Sequence, residues 1–131
     1  MKINELTTEA HHNAIMKGFY DFPETGGHLR NIGEILMLIV SELGEAMEAH
    51  RCGKFTEDNL DIFIKESNNP NVTDCSGIFE FYVKDTFEDE LADTVIRIAD
   101  LCGYLGIDLE KHIAAKMEYN KTRPYKHGKE Y

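Results

Sequence analysis

The sequence predicts an all-α protein, a bundle of four to five helices in one domain spanning residues 1–131. Three observations carry this. Apolar residues recur at steps of three and four through most of the chain, which is the period of one helix face. Residues that start and stop helices punctuate those stretches. Only Ile78 to Lys84 alternates as a strand does, and a lone strand would have no partner, so this run is read as a short helix.

The elements follow in order. The first helix is expected from about Thr8 to Gly18, with Thr7 as its cap. Pro23 and the Gly26-Gly27 pair make Phe22 to His28 a loop. The second helix should run from about Asn31 to Cys52 and stop at Gly53. Thr56 is expected to cap a short third segment to about Glu66, and Ser67 to Gly77 reads as a loop by composition. Thr86-Phe87-Glu88-Asp89 has the form of a capping box. It opens a helix to about Leu105, with Gly106 placed to end it. Asp108 can cap the last helix, to about Lys121 before Pro124.

Composition narrows the function. Of 131 residues, 42% are apolar, enough for one core. The net charge of −10 argues against a nucleic-acid surface, which needs a basic face to neutralise phosphates. The longest aliphatic run, Ile35 to Val40, is far shorter than the roughly 20 residues of a membrane span, so no membrane partner is expected. The start of the chain has no apolar signal-peptide core. Cys52, Cys75 and Cys102 are odd in number and form no C-x-x-C pair, which suits a reducing cytoplasm. Charge is unevenly placed: five Lys/Arg against two Glu give residues 116–131 a net +3, on an acidic remainder.

Two acidic lines bear the chemistry. On the second helix Ile35, Leu38, Glu42, Glu45 and Ala49 form one stripe, apolar above and acidic below. Glu48 is offset from it and is expected to face water. Like charges at this spacing repel, so a cation is called for. The helix from Phe87 to Leu105 is apolar almost all round, and Glu90, Asp93, Arg97 and Asp100 make its main polar line. Glu42, Glu45, Glu90 and Asp93 therefore sit on two core-forming helices. Oxygen ligands without His or Cys suit Mg²⁺, or Mn²⁺ in its place. The competing reading is that both lines are solvated faces. A short link at Gly106 to Asp108 makes the last two helices an antiparallel pair, which brings Lys116, Asn120, Lys121, Arg123 and Lys126 to the height of the acids. Acids that hold metal, facing bases that hold phosphate, make a layout for phosphoryl chemistry; the competing reading is a frayed terminus whose lysines give solubility.

Other constellations carry less. Glu9-x-x-His12 is a single E-x-x-H, whereas a di-iron bundle needs two, so it reads as a surface pair. There is no P-loop pattern. Phe19, Tyr20 and Phe22 are read either as core aromatics or as a stacking surface for a base.

With "SELGEA" (Glu42, Glu45), "EDELADTVIRIAD" (Glu90, Asp93) and the tail "KMEYNKTRPYKHGK" in view, the chain resembles the MazG-like nucleotide pyrophosphohydrolases of the all-α NTP pyrophosphatase superfamily. The likeness runs from about Ile32 to the C-terminus. It implies a Mg²⁺-dependent enzyme that cuts a nucleoside triphosphate between its α and β phosphates, giving a monophosphate and pyrophosphate. It implies Glu42, Glu45, Glu90 and Asp93 as metal ligands and catalytic acids. Lys116, Asn120, Arg123 and Lys126 are then the phosphate-binding residues, and the assembly a homodimer or homotetramer. Two departures stand out. Many members carry a second acid where this chain has Ser41, and the two acidic motifs are separated by the long stretch Ala46 to Asp89. Two further readings therefore stand beside the enzyme: a non-catalytic metal-binding helical assembly module, and a related hydrolase of another diphosphate-containing small molecule.

Overall fold

The computed structural model describes residues 1–21, 30–57 and 59–131; the expected loop Phe22 to His28 lies outside the described residues. Among the described residues the chain is all-helical, with no strand. Among the described residues six α-helices stand where four to five were expected: α1 (Ile3–Met16), α2 (Ile32–Arg51), α3 (Asn59–Ser67), α4 (Ser76–Tyr82), α5 (Phe87–Leu105) and α6 (Leu109–Lys121). A turn at Tyr125–Gly128 follows, in which Lys126 and His127 take left-handed conformations. No described helix is long and apolar enough to cross a membrane.

The helix ends follow local chemistry where that chemistry is local. Asn31 caps α2, its Oδ1 accepting from the Gly33 and Glu34 N–H groups at 2.8 and 3.3 Å. Gly53 ends it at φ +67°, a backbone conformation that side chains resist. Asp108 accepts from Lys111 N–H at 3.0 Å and opens α6 as expected. Ile78 to Lys84 is helical in the main, within α4, as the sequence suggested. Two expected caps are corrected. α1 begins at Ile3 rather than Thr8, because Glu5 accepts from the Lys2 N–H at 2.9 Å and closes the first turn. Thr7 is buried inside that helix and donates to the Asn4 carbonyl. Thr56 does not cap α3; its hydroxyl meets that of Thr86 at 2.7 Å.

The residues form two compact units, Met1–His28 with Ile98–Tyr131, and Leu29–Arg97. In the first, Asn4 clamps the start of α6: its side chain donates to Asp108 at 3.0 Å, and its N–H to Glu110 at 3.3 Å. α1 meets the second half of α5 through small residues. Ala10, Ala14 and Ala99 are buried, and a Cβ on Gly103 would lie 2.6 Å from His11 Cβ and 2.7 Å from the Thr7 carbonyl. That approach leaves room for glycine only. Beside it the Asp100 carboxylate accepts from Tyr20 Oη at 2.8 Å and lies 2.9 Å from His11 Nδ1.

The second unit carries the acidic motifs. The buried residues of α2 are Ile35, Ile39, Glu42, Ala46 and Ala49, one stripe at helix period. Chain beyond α2 is tied to the start of α5: Phe87 N–H donates to the Lys54 carbonyl at 2.9 Å, and Thr56 N–H to Glu88 at 2.9 Å. His50, Phe55 and Phe87 pack edge to face around the same point. Together these ties fix the C-terminal half of α2 against the first turns of α5.

Candidate metal centre and adjoining cavity

Glu42 and Glu90 arrive at the site as core residues. They are 6% and 4% exposed, because each lies on the inward stripe of its helix. Glu45, one turn on from Glu42, sits at the edge of that stripe and is exposed. Leu38 is likewise at the edge, so the stripe leans toward Ile39 and Ala46 rather than following Leu38 and Glu45. Glu48 is exposed and pairs loosely with Arg51 at 3.9 Å, in keeping with a solvated position.

One carboxylate oxygen from each of Glu42, Glu45 and Glu90 lies within 4.8 Å of the others. Three anions so close must be offset or partly protonated. Among the described residues one cation reaches them: Arg97 Nε donates to Glu42 Oε1 at 2.6 Å. It does not suffice. The Glu90 carboxyl is pushed up to about 7, first by loss of water, then by Glu45 and by its hydrogen bond and charge contact with Glu42. Asp93 is not part of the close set but lines the same cavity, and desolvation, Asp89 and Glu42 hold its carboxyl above the usual range against the pull of Arg97. Asp89 is raised too, mainly by burial. Glu88, by contrast, is lowered because the Thr56 N–H donates to it.

The donor set fits a hard cation. Mg²⁺ binds oxygen at about 2.1 Å in an octahedron, which places adjacent ligands about 3 Å apart and opposite ones about 4.2 Å. The three oxygens lie within 4.8 Å of one another, a little wider than that spacing. No nitrogen or sulfur donor belongs to the set, which suits Mg²⁺ or Mn²⁺ over zinc.

The acids line a cavity of about 970 Å³ together with residues of α3, α4 and α5. Phe63 on α3 and Phe79 on α4 line it and meet edge to face; sequence periodicity did not mark them, since α3 and α4 are too short to show a stripe, nor did it pair Arg97 with Glu42. Ser41, where the resembling family often has an acid, is exposed and donates back to the Leu38 carbonyl at 2.7 Å.

The expected phosphate-binding residues lie in the unit that holds α6. Lys116 Nζ stands 4.9 Å from the centre of the Tyr119 ring, and the Arg123 guanidinium 5.8 Å from the same ring. Arg123 Nη2 also donates to the His127 carbonyl at 3.5 Å. Asn120 is half-buried with its Oδ1 unbonded, and Lys126 lies 6.0 Å from the Tyr125 ring. Of the aromatic trio near the first loop, Phe19 is exposed, Tyr20 is bonded to Asp100, and Phe22 lies outside the described residues. Glu9 and His12 are both exposed. Compared with known proteins, the chain matches no family description, no curated protein and no solved structure.

Proposed function

We propose that this protein is a Mg²⁺-dependent nucleoside triphosphate pyrophosphohydrolase of the MazG-like type, releasing a monophosphate and pyrophosphate. One observation carries the reading: three carboxylates from α2 and α5, two of them buried, converge beside Arg97 and line a cavity of substrate size. Buried like charges are expensive to assemble, so their convergence supports a resident cation. Glu42, Glu45 and Glu90 hold it, with Asp93 completing the set. Magnesium supplies charge neutralisation at phosphate and a lowered barrier to ionising water. The acids would orient it, and one of them would activate the attacking water. Lys116, Asn120, Arg123 and Lys126 bind the phosphate chain and offset its charge in the transition state.

A homodimer or homotetramer belongs to the same reading. Leu36, Val40, Leu43 and Met47 follow one another at steps of four, three and four along α2 and are each about half exposed. Leu91, Val95 and Ile96 on α5 are also bare. Such a face on a small chain supports burial against a second copy. Light scattering on a Val40→Glu variant checks this, with a smaller particle than wild type expected.

A second reading has its own support. The Glu42–Arg97 pair and the absence of an acid at Ser41 favour a non-catalytic helical module whose acids serve assembly. Pyrophosphate release from mixed deoxynucleoside triphosphates in Mg²⁺ decides between them: steady release supports the enzyme, and none supports the module. A panel of other diphosphate-containing small molecules separates the related-hydrolase alternative.

A further inference from the structure

A second cavity, of about 500 Å³, is lined by none of Glu42, Glu45, Glu90 and Asp93. It is built from the chain just past α2, the start of α3, the end of α4 and the turn into α5. Among its described lining residues the charged ones are Lys54, Lys84 and Asp85; Gly53, Asn59 and Thr86 are uncharged. In a chain of net charge −10, two lysines against one carboxylate make an unusually basic rim. Asp85 answers Lys84 at 2.7 Å. Lys54 has no ion-pair partner among the described residues.

The rest of the lining is aromatic. Phe81 is 80% exposed, Phe55 39% and Tyr82 37%. One bare ring on a surface is ordinary, but three around one cavity form an apolar patch next to the lysines. The parts are held in place before any ligand arrives. Phe55 packs edge to face on His50 and Phe87, and the Phe81 and Tyr82 rings meet 4.7 Å apart at 77°. The Lys54 carbonyl accepts from the Phe87 N–H at 2.9 Å, which fixes the lysine's backbone beside Phe55. A preformed cavity with an aromatic lining and a few converging charges is the usual form of a small-molecule site.

We propose that this cavity binds a small aromatic anion, a planar ring carrying a phosphate or a carboxylate, at a site separate from the α2–α5 acids. The ring covers the aromatic patch, and the anion meets Lys54 and Lys84, which act as point charges. Neither half needs a metal, and neither depends on the hydrolase reading. A neutral ring leaves the lysines unanswered, and an aliphatic anion leaves the patch in water.

The test is amide-shift titration by NMR of the full chain, metal-free in EDTA. The probes are phenyl phosphate and benzoate, with methyl phosphate and phenol as the two half-ligands. The expected result is saturable shifts at the amides of Lys54, Phe55 and Phe81 to Thr86. At least one aromatic anion binds about threefold or more tighter than either half-ligand. Phenyl phosphate against benzoate then decides which anion the lysines prefer. Lys54→Gln and Phe81→Ala change exposed side chains, and each should weaken that binding about threefold or more. Lys65→Gln, on α3 and off this cavity, should leave it unchanged. The absence of saturable shifts at these amides, shifts centred on residues 116–129 instead, or binding unaltered in both Lys54→Gln and Phe81→Ala overturns the site. Shifts at the same amides on dilution alone, without probe binding, make the patch a contact between copies and overturn it too.

Discussion

Two carboxylate sites on α5 make opposite use of the same residue type. Asp100 is answered in full: Tyr20 donates to it at 2.8 Å and His11 lies 2.9 Å away, with the three rings of His11, Tyr20 and Tyr104 packed together. Glu90, three turns earlier, is crowded by Glu42 and Glu45, with one arginine for three acids. An acid met by donors is a strut. Acids brought together without enough positive charge repel one another, and on the proposed reading a cation would offset that repulsion. The line Glu90, Asp93, Arg97, Asp100 looks uniform in sequence, yet it splits into a site and a support.

The largest expected effect is on turnover. Glu45→Gln, Glu90→Gln and Asp93→Asn should each cut pyrophosphate release by about a hundredfold or more, roughly 2.7 kcal/mol in barrier. Metal-free stability should hold or rise, because repulsion is removed. Any of them that keeps more than about a tenth of wild-type activity, a loss under roughly 1.4 kcal/mol, does not belong to the site. Asp100→Asn should behave in the reverse way. It loses about 1.5–3 kcal/mol of stability in denaturant titration, as a charge-assisted pair is weakened, while activity per folded molecule persists.

Gly103→Ala sharpens the support side of the comparison. The added methyl meets His11 Cβ and the Thr7 carbonyl, so about 1–3 kcal/mol of stability should be lost without change in metal response. Arg123→Lys keeps charge but loses the fork that grips phosphate. A several-fold rise in KM with kcat little changed marks ground-state binding, and a fall in kcat marks the transition state. Wild-type kinetics in this variant would remove Arg123 from the phosphate site.

A further effect is on pH. The Glu90 carboxyl is raised from 4.5 to about 7, so between those values the folded state holds a proton that the unfolded chain has lost. Metal-free stability should therefore fall as pH climbs through that window, and the fall should be missing in Glu90→Gln. A metal-free melting temperature that rises over the same window in wild type alone contradicts the crowding of Glu90.

Much of this was legible in the sequence, and the reason is locality. Asn31, Gly53, Gly106 and Asp108 act on their own helix ends, and the bounds of α2, α5 and α6 followed from them. The burial of Glu42 was readable because it continues an apolar stripe. What escaped was long-range. Thr56 looked like a cap, but its hydroxyl partner is 30 positions away. Glu5, rather than Thr7, closes the first turn of α1, since an acid three residues past the helix start can reach back to the backbone. The Arg97–Glu42 pair and the Phe63–Phe79 wall join different helices, and no period along one helix marks them.

The most direct test of the central claim is the melting temperature of the wild-type protein with and without millimolar Mg²⁺, beside that of Glu42→Gln/Glu45→Gln. Binding to the folded state stabilises by mass action, about 2.7 kcal/mol when the ion is a hundredfold above its Kd. The account predicts a clear rise in wild type and little or none in the double variant. A wild-type curve that Mg²⁺ leaves unmoved, or an equal rise in both proteins, contradicts it.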